Sequence, residues 1–172
     1  MKLNPTTEKF VLHWGEMGAK WGVNRTVAQI HALLYLLGRP MNADEIVETL
    51  GVARSNVSTS IKELQSWQLV QTVHILGDRR DHFTTSGDVW ELFRIIVAER
   101  QRREIEPTVR FLQSLMDSPE YAQENETARQ RIAQTHEFVG TLTSWTQEML
   151  RLSTTTLAKV LKLGASIQKL LR

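Results

Sequence analysis

The sequence predicts a mainly α fold broken by one small β-hairpin. Three observations carry that reading. Apolar residues recur at three- and four-residue spacing through most of the chain. The pattern turns to β-branched runs only between Leu69 and Thr85. Glycines follow Trp21, Leu37 and Leu50, where helices should end.

"NPTTEKFVLHWGEMGAKWG" is the first expected helix, with Phe10, Trp14 and Met17 on one face and Gly22 as its stop. "NRTVAQIHALLYLLGRP" is the second, with a broad stripe of Val27, Ile30, Leu33, Leu34 and Leu37 ended by Gly38 and Pro40. In "MNADEIVETLG", Asn42 and Glu45 have capping-box spacing, Ile46, Val47 and Leu50 form the inner side, and Gly51 closes the helix. "ARSNVSTSIKELQSW" is the fourth. "LVQTVHIL" and "HFTT" then read as two antiparallel strands joined by a charged turn, "GDRRD".

Helix resumes near Ser86 or Gly87 and continues to the end. Ile105, Val109, Leu112 and Met116, and then Phe138, Leu142, Trp145, Met149 and Leu152, have the seam spacing at which helices pack lengthwise. Pro107 should kink or break the chain near Glu106. Asp117–Glu120 reads as a turn, and Gly140 as a weak spot. A last helix, about Thr155 to Leu171, places Leu157, Val160, Leu161, Gly164, Ile167 and Leu171 on one side.

At 172 residues and 41% hydrophobic composition the chain can build a real core. It has no run of about 18 apolar residues and no apolar leader after Met1, so a cytoplasmic protein without a membrane partner is expected. The absence of Cys excludes disulfides, thiolate zinc sites and a Cys nucleophile. No nucleophile–base pair, phosphate loop or metal-ligand spacing stands out, so neither an enzyme nor a cofactor is expected. His74 and His82 could face each other across the hairpin. Charge is nearly even: nine basic against eight acidic residues up to Ser86, twelve against eleven after it. A nucleic-acid face would need its basic groups gathered locally.

Five of the six residues from Ser55 to Ser60 are Ser, Asn or Thr, which are poor helix formers. Their presence makes sense if Val57, Ile61 and Leu64 hold the helix from beneath while its outer face meets a partner. Helix, helix, turn, helix and hairpin in that order describe a winged helix-turn-helix, whose second motif helix enters the DNA major groove. Arg54, Ser55, Asn56, Ser58, Thr59 and Lys62 would then approach phosphates and base edges. Taken alone, Arg79 and Arg80 on the wing would read as solvated turn residues; placed beside that helix, contact with the minor groove or backbone is the better reading. Asp44, Glu45 and Glu48 would stand apart on the preceding helix. The competing reading of the same elements is a protein-docking module.

"WGVNRTVAQIHALLYLLGRPMNADEIVETLGVARSNVSTSIKELQSWQLV" followed by "HILGDRRDHF" resembles the MarR superfamily, and more closely its GbsR branch. The resemblance is specific from Trp21 to about Glu106 and weaker beyond. It implies a cytoplasmic, homodimeric bacterial transcription regulator, with DNA contacts on the helix from Arg54 to Lys62 and on the wing at Arg79 and Arg80. One departure is local: the commoner residue before Leu-Val at the end of that helix is Gly, and here it is Gln68. The branch is associated with glycine betaine synthesis and transport, and its namesake senses choline. That implication, with cation–π chemistry, makes Trp21 and Trp90 candidates for a quaternary ammonium effector site. The five Trp residues also suit plain core or dimer-interface roles.

The expected organisation is an N-terminal helix (1–20) joining a dimer interface, a winged helix-turn-helix (21–86) and a long-helical dimerisation region (87–172). The expected partners are double-stranded DNA, a second copy of the chain and a small effector. Lys159, Lys162, Lys169 and Arg172 give the last helix a basic face, read as solvated rather than membrane-bound.

Overall fold

The computed structural model describes residues 2–170, with side chains described up to Leu163. The parts of the expected last-helix face at Gly164, Ile167 and Leu171, and the basic residues Lys169 and Arg172, lie outside the described side chains. Two compact units divide the chain, Met1–Ile95 and Ile96–Arg172.

The first unit runs α1 (Pro5–Lys20), α2 (Arg25–Leu37), β1 (Met41–Asn42), α3 (Ala43–Leu50), α4 (Arg54–Ser66), β2 (Gln71–Ile75), β3 (Asp78–Thr84) and the start of α5 (Val89–Arg100). Asn4, Asn24 and Asn42 cap α1, α2 and α3 through their side chains. At α3 the full capping box forms: Asn42 accepts from the Asp44 and Glu45 N–H groups, and Glu45 accepts from the Asn42 N–H. The core is built on α2, where Ile30, Leu33 and Leu34 are essentially inaccessible, with Ile46, Val57 and Met41 packed around them.

α1 packs on α2, but with a different face from the one its hydrophobic pattern suggests. Val11, Gly15 and Gly18 turn inward, whereas Trp14 is exposed and Phe10 and Met17 are only half-buried. The two glycines explain the rotation, because side chains there would collide with α2. Phe10, Trp14 and Trp21 instead form a ladder along the outer side: the first pair stacks at 5.3 Å and the second meets edge-on at 6.1 Å.

The sheet has three strands in the order β1-β3-β2, all antiparallel. The strand at Met41–Asn42 is too short to carry a periodic signal. The hairpin turn is Leu76–Gly77, flanked by the pair Ile75↔Asp78. The expected charged turn is therefore corrected: Asp78, Arg79, Arg80 and Asp81 belong to β3. His82 lies opposite Val73 rather than His74.

The second unit continues α5 through a π-helical turn (Gln101–Ile105) into α6 (Glu106–Met116), α7 (Pro119–Gln123), α8 (Glu126–Arg151) and α9 (Thr154–Leu170). Pro107 neither ends nor sharply breaks the path. Lacking an N–H, it cannot donate to the carbonyl four residues back, and the helix widens ahead of it, with the Glu106 N–H bonded to the Gln101 carbonyl. α8 runs through Gly140 without interruption. α6 packs along α8. Tyr121 Oη of α7 donates to the Arg129 carbonyl of α8 at 2.9 Å, and Gln101 Nε2 of the π-helical turn donates to the Thr143 carbonyl of α8 at 3.3 Å.

Candidate nucleic-acid interface

α4 separates sharply into two faces. Val57, Ser60, Ile61 and Leu64 are buried at the i, i+3, i+4, i+7 positions, while Ser55, Asn56, Ser58, Thr59 and Lys62 are exposed. Burial of Val57, Ile61 and Leu64 is worth roughly 1.5–3 kcal/mol each. The poor propensity of the polar residues costs about 0.5 kcal/mol apiece. Packing therefore holds a helix that its outer face would not form alone.

The N-terminus of α4 differs from those of α1, α2 and α3. Its N-cap is Ala53, which supplies no side-chain acceptor. The first N–H groups of α4 are left pointing outward with the positive end of the helix dipole, an arrangement that suits an anionic oxygen. Arg54 opens the helix, 65% exposed in its side chain, and forms an ion pair with Asp44 of α3. That contact corrects the expectation that α3 acids stand apart from the basic face.

On the wing, Arg79 and Arg80 are both exposed, but strand alternation sends them to opposite faces of β3. Arg80 is forked by Asp78, its Nε 2.9 Å from Oδ1 and its Nη2 2.5 Å from Oδ2. The Arg80 side-chain and backbone N–H groups hold the Asp78 carboxyl well below the usual carboxylate range, and Asp78 in turn raises Arg80. Arg79 and Lys62 have no ion-pair partner among the described residues. Leu76, fully exposed, forms the tip itself.

The helix end at Gln68 is a feature whose signal was local. Gln68 adopts φ 59°, the left-handed conformation that a Gly would take without strain. Its N–H bonds to the Gln65 carbonyl and lets Leu69 drop back onto the Leu64 carbonyl. Trp21 and Trp90 have different ring neighbours: Trp21 meets Trp14, and Trp90 meets Phe93 edge-on at 6.5 Å.

Residues 21–81 match the sequence model of the MarR family, a family of transcriptional regulators rather than enzymes. The chain is 26% identical over 89 residues to the HTH-type transcriptional repressor GbsR of Bacillus subtilis (strain 168). That match covers 52% of this chain and 49% of the repressor, so it spans about half the repressor's length. The fold is shared with a crystal structure of a transcriptional regulator at a TM-score of 0.66, 16% identity, and coverage of 85% of this chain and 96% of that one. The exposed polar helix, the hairpin beside it and these matches agree: the chain carries a winged-helix fold, and its residues 21–81 are similar to the MarR family.

Proposed function

We propose that the chain is a sequence-specific DNA-binding transcription regulator that acts as a homodimer on a near-palindromic operator. The observation that carries this reading is the outer face of α4. Five exposed small or basic side chains, Ser55, Asn56, Ser58, Thr59 and Lys62, follow a helix N-terminus that no side chain caps. Small polar groups allow the helix backbone close to base edges, and the open N–H groups suit a phosphate. Arg54, Arg79 and Arg80 add backbone or groove contacts at its borders. In a dimer the two α4 helices would address half-sites about 34 Å apart.

The proposed self-association draws on the second unit. Phe138, Leu142 and Trp145 are 67%, 47% and 56% exposed at seam spacing on α8, an apolar face that a second copy would cover. The aromatic ladder of α1 adds a further apolar surface. Among the described residues no helix is long and apolar enough to cross a membrane, which agrees with a cytoplasmic regulator.

A quaternary ammonium effector at Trp21 or Trp90 remains part of the proposal, supported by the exposed edge-on pair Trp14–Trp21 and by the half-buried Trp90 edge-on to Phe93. Choline at millimolar concentration should quench tryptophan fluorescence if either pair receives it, and an unchanged spectrum removes this arm.

The deciding experiment is a gel shift with the DNA upstream of the chain's own gene. A retarded band that survives excess random competitor is expected, since specific sites bind about 10³-fold or more tighter than random DNA. No retardation with any duplex would move the reading to a protein-docking winged helix.

A further inference from the structure

Between α1, α2 and the end of α3 lies a cavity of about 330 Å³, within the usual range for small-ligand pockets of about 300–1,000 Å³. Its polar lining is unusual. Gln29 is only 8% exposed, yet its amide pairs with no other described residue. Thr49 Oγ1 is buried and also lacks a hydrogen-bond partner. Buried polar groups in folded chains are nearly always paired, so the orphan Thr49 hydroxyl, beside an amide with no protein partner, calls for an occupant.

Two opposite charges border the same space. Glu8 and Lys2 both line it, and neither has an ion-pair partner among the described residues. Val11 and Leu50 supply apolar wall. The cavity also depends on a particular glycine: a Cβ on Gly15 would stand 2.6 Å from Gln29 Cγ, so only glycine lets the amide lie where it does.

We propose that this cavity binds a small zwitterion of the α-amino-acid type. Glu8 and the Gln29 carbonyl take the ammonium group. Lys2, the Gln29 amide N–H and the Thr49 hydroxyl take the carboxylate, and Val11 and Leu50 face an aliphatic side chain. An amine or a carboxylate alone would answer only one half of this donor and acceptor set. Thr49 and Leu50 are the last residues of α3, so an occupant would bear on the turn leading into α4.

Calorimetric titration of the full chain with L-leucine and L-valine tests the site. Two analogues of leucine serve as controls: 3-methylbutylamine, which lacks the carboxylate, and 4-methylpentanoate, which lacks the amine. Saturable binding of at least one amino acid is expected, with both truncated analogues at least about tenfold weaker. Glu8→Gln, at an exposed position, should weaken binding about tenfold without disturbing the fold, and Gln29→Leu should abolish it. No heat with either amino acid, equal binding of the truncated analogues, or unchanged affinity in Glu8→Gln would overturn the proposal. The titration reads binding to the free protein, so it stands or falls separately from DNA recognition.

Discussion

Gly18 and Ala28 bring α1 and α2 into backbone-to-methyl contact: a Cβ on Gly18 would lie 2.5 Å from the Ala28 Cβ. The neighbouring Gly15 meets Gln29 in the same way, so α1 is seated by what its inner face lacks. Gly18→Leu should therefore destabilise the chain by about 1–3 kcal/mol through overpacking, outweighing a gain in helix propensity of about 1 kcal/mol. Gly140 provides the contrast. It sits inside α8 with nothing within 4 Å of an added Cβ, so Gly140→Ala should stabilise by about 0.5–1 kcal/mol. Urea midpoints that moved in the same direction for both variants would contradict the packing assigned to α1.

His31 is buried on α2, with Nε2 3.3 Å from Thr85 Oγ1. The Thr85 hydroxyl donates to the Leu69 carbonyl at 2.7 Å, so the His31 Nε2–H is the donor in the second bond. Burial lowers the imidazole pKa to about 4. The unfolded chain titrates near its ordinary value of about 6.5. Between these values the unfolded state holds a proton that the folded state lacks. Stability should thus fall as pH drops below about 6.5 and level off below about 4, by about 3 kcal/mol in all. Urea midpoints measured across this window should show the decline, and His31→Leu should flatten it.

Gln68 occupies the left-handed region at the end of α4. A non-glycine residue there costs about 1–2 kcal/mol, partly offset by the entropy that glycine loses on folding. Gln68→Gly should raise stability by about 0.5–1 kcal/mol, read as a shift in melting midpoint. A lower midpoint would mean that the Gln68 side chain contributes more than its backbone strain.

Asn56 and Arg79 should separate base reading from charge. Asn56→Ala should weaken operator binding by about 1–3 kcal/mol and leave random DNA nearly unchanged. Arg79→Ala should weaken both and reduce the slope of log affinity against log salt by about one. Gel shifts at several salt concentrations distinguish the two patterns. Equal losses on every duplex for Asn56→Ala would argue against base contact at that position.

Local chemistry made much of the fold readable in advance. Asn42 and Glu45 lie three residues apart and form their capping box within one turn, and the stripe on α4 follows from the spacing of Val57, Ile61 and Leu64. The departure at Gln68 was visible too, because a helix end depends on its own few residues. The candidate face from Ser55 to Lys62 was legible for the same reason: the buried stripe dictates which side chains remain outside.

Other features depended on residues distant in the chain. Which face of α1 turns inward was decided by Gly15 and Gly18, whose contribution is to permit approach and so leaves no mark in a hydrophobic pattern. The wing turn fell at Leu76–Gly77 because β3 is held on both sides, by β1 at Met41–Asn42 and by β2, and cross-strand register overrides local turn chemistry. The pairing of Arg54 with Asp44 joins two helices, and periodicity within either one could not show it. Sequence by itself determined the order of the helices up to α4, the hairpin after them and the two-faced α4, since these arise from interactions a few residues apart; the short β1 and α7 left no such mark. Tertiary structure alone decided helix rotation, strand register and which charges meet, since each requires two distant segments to be brought together.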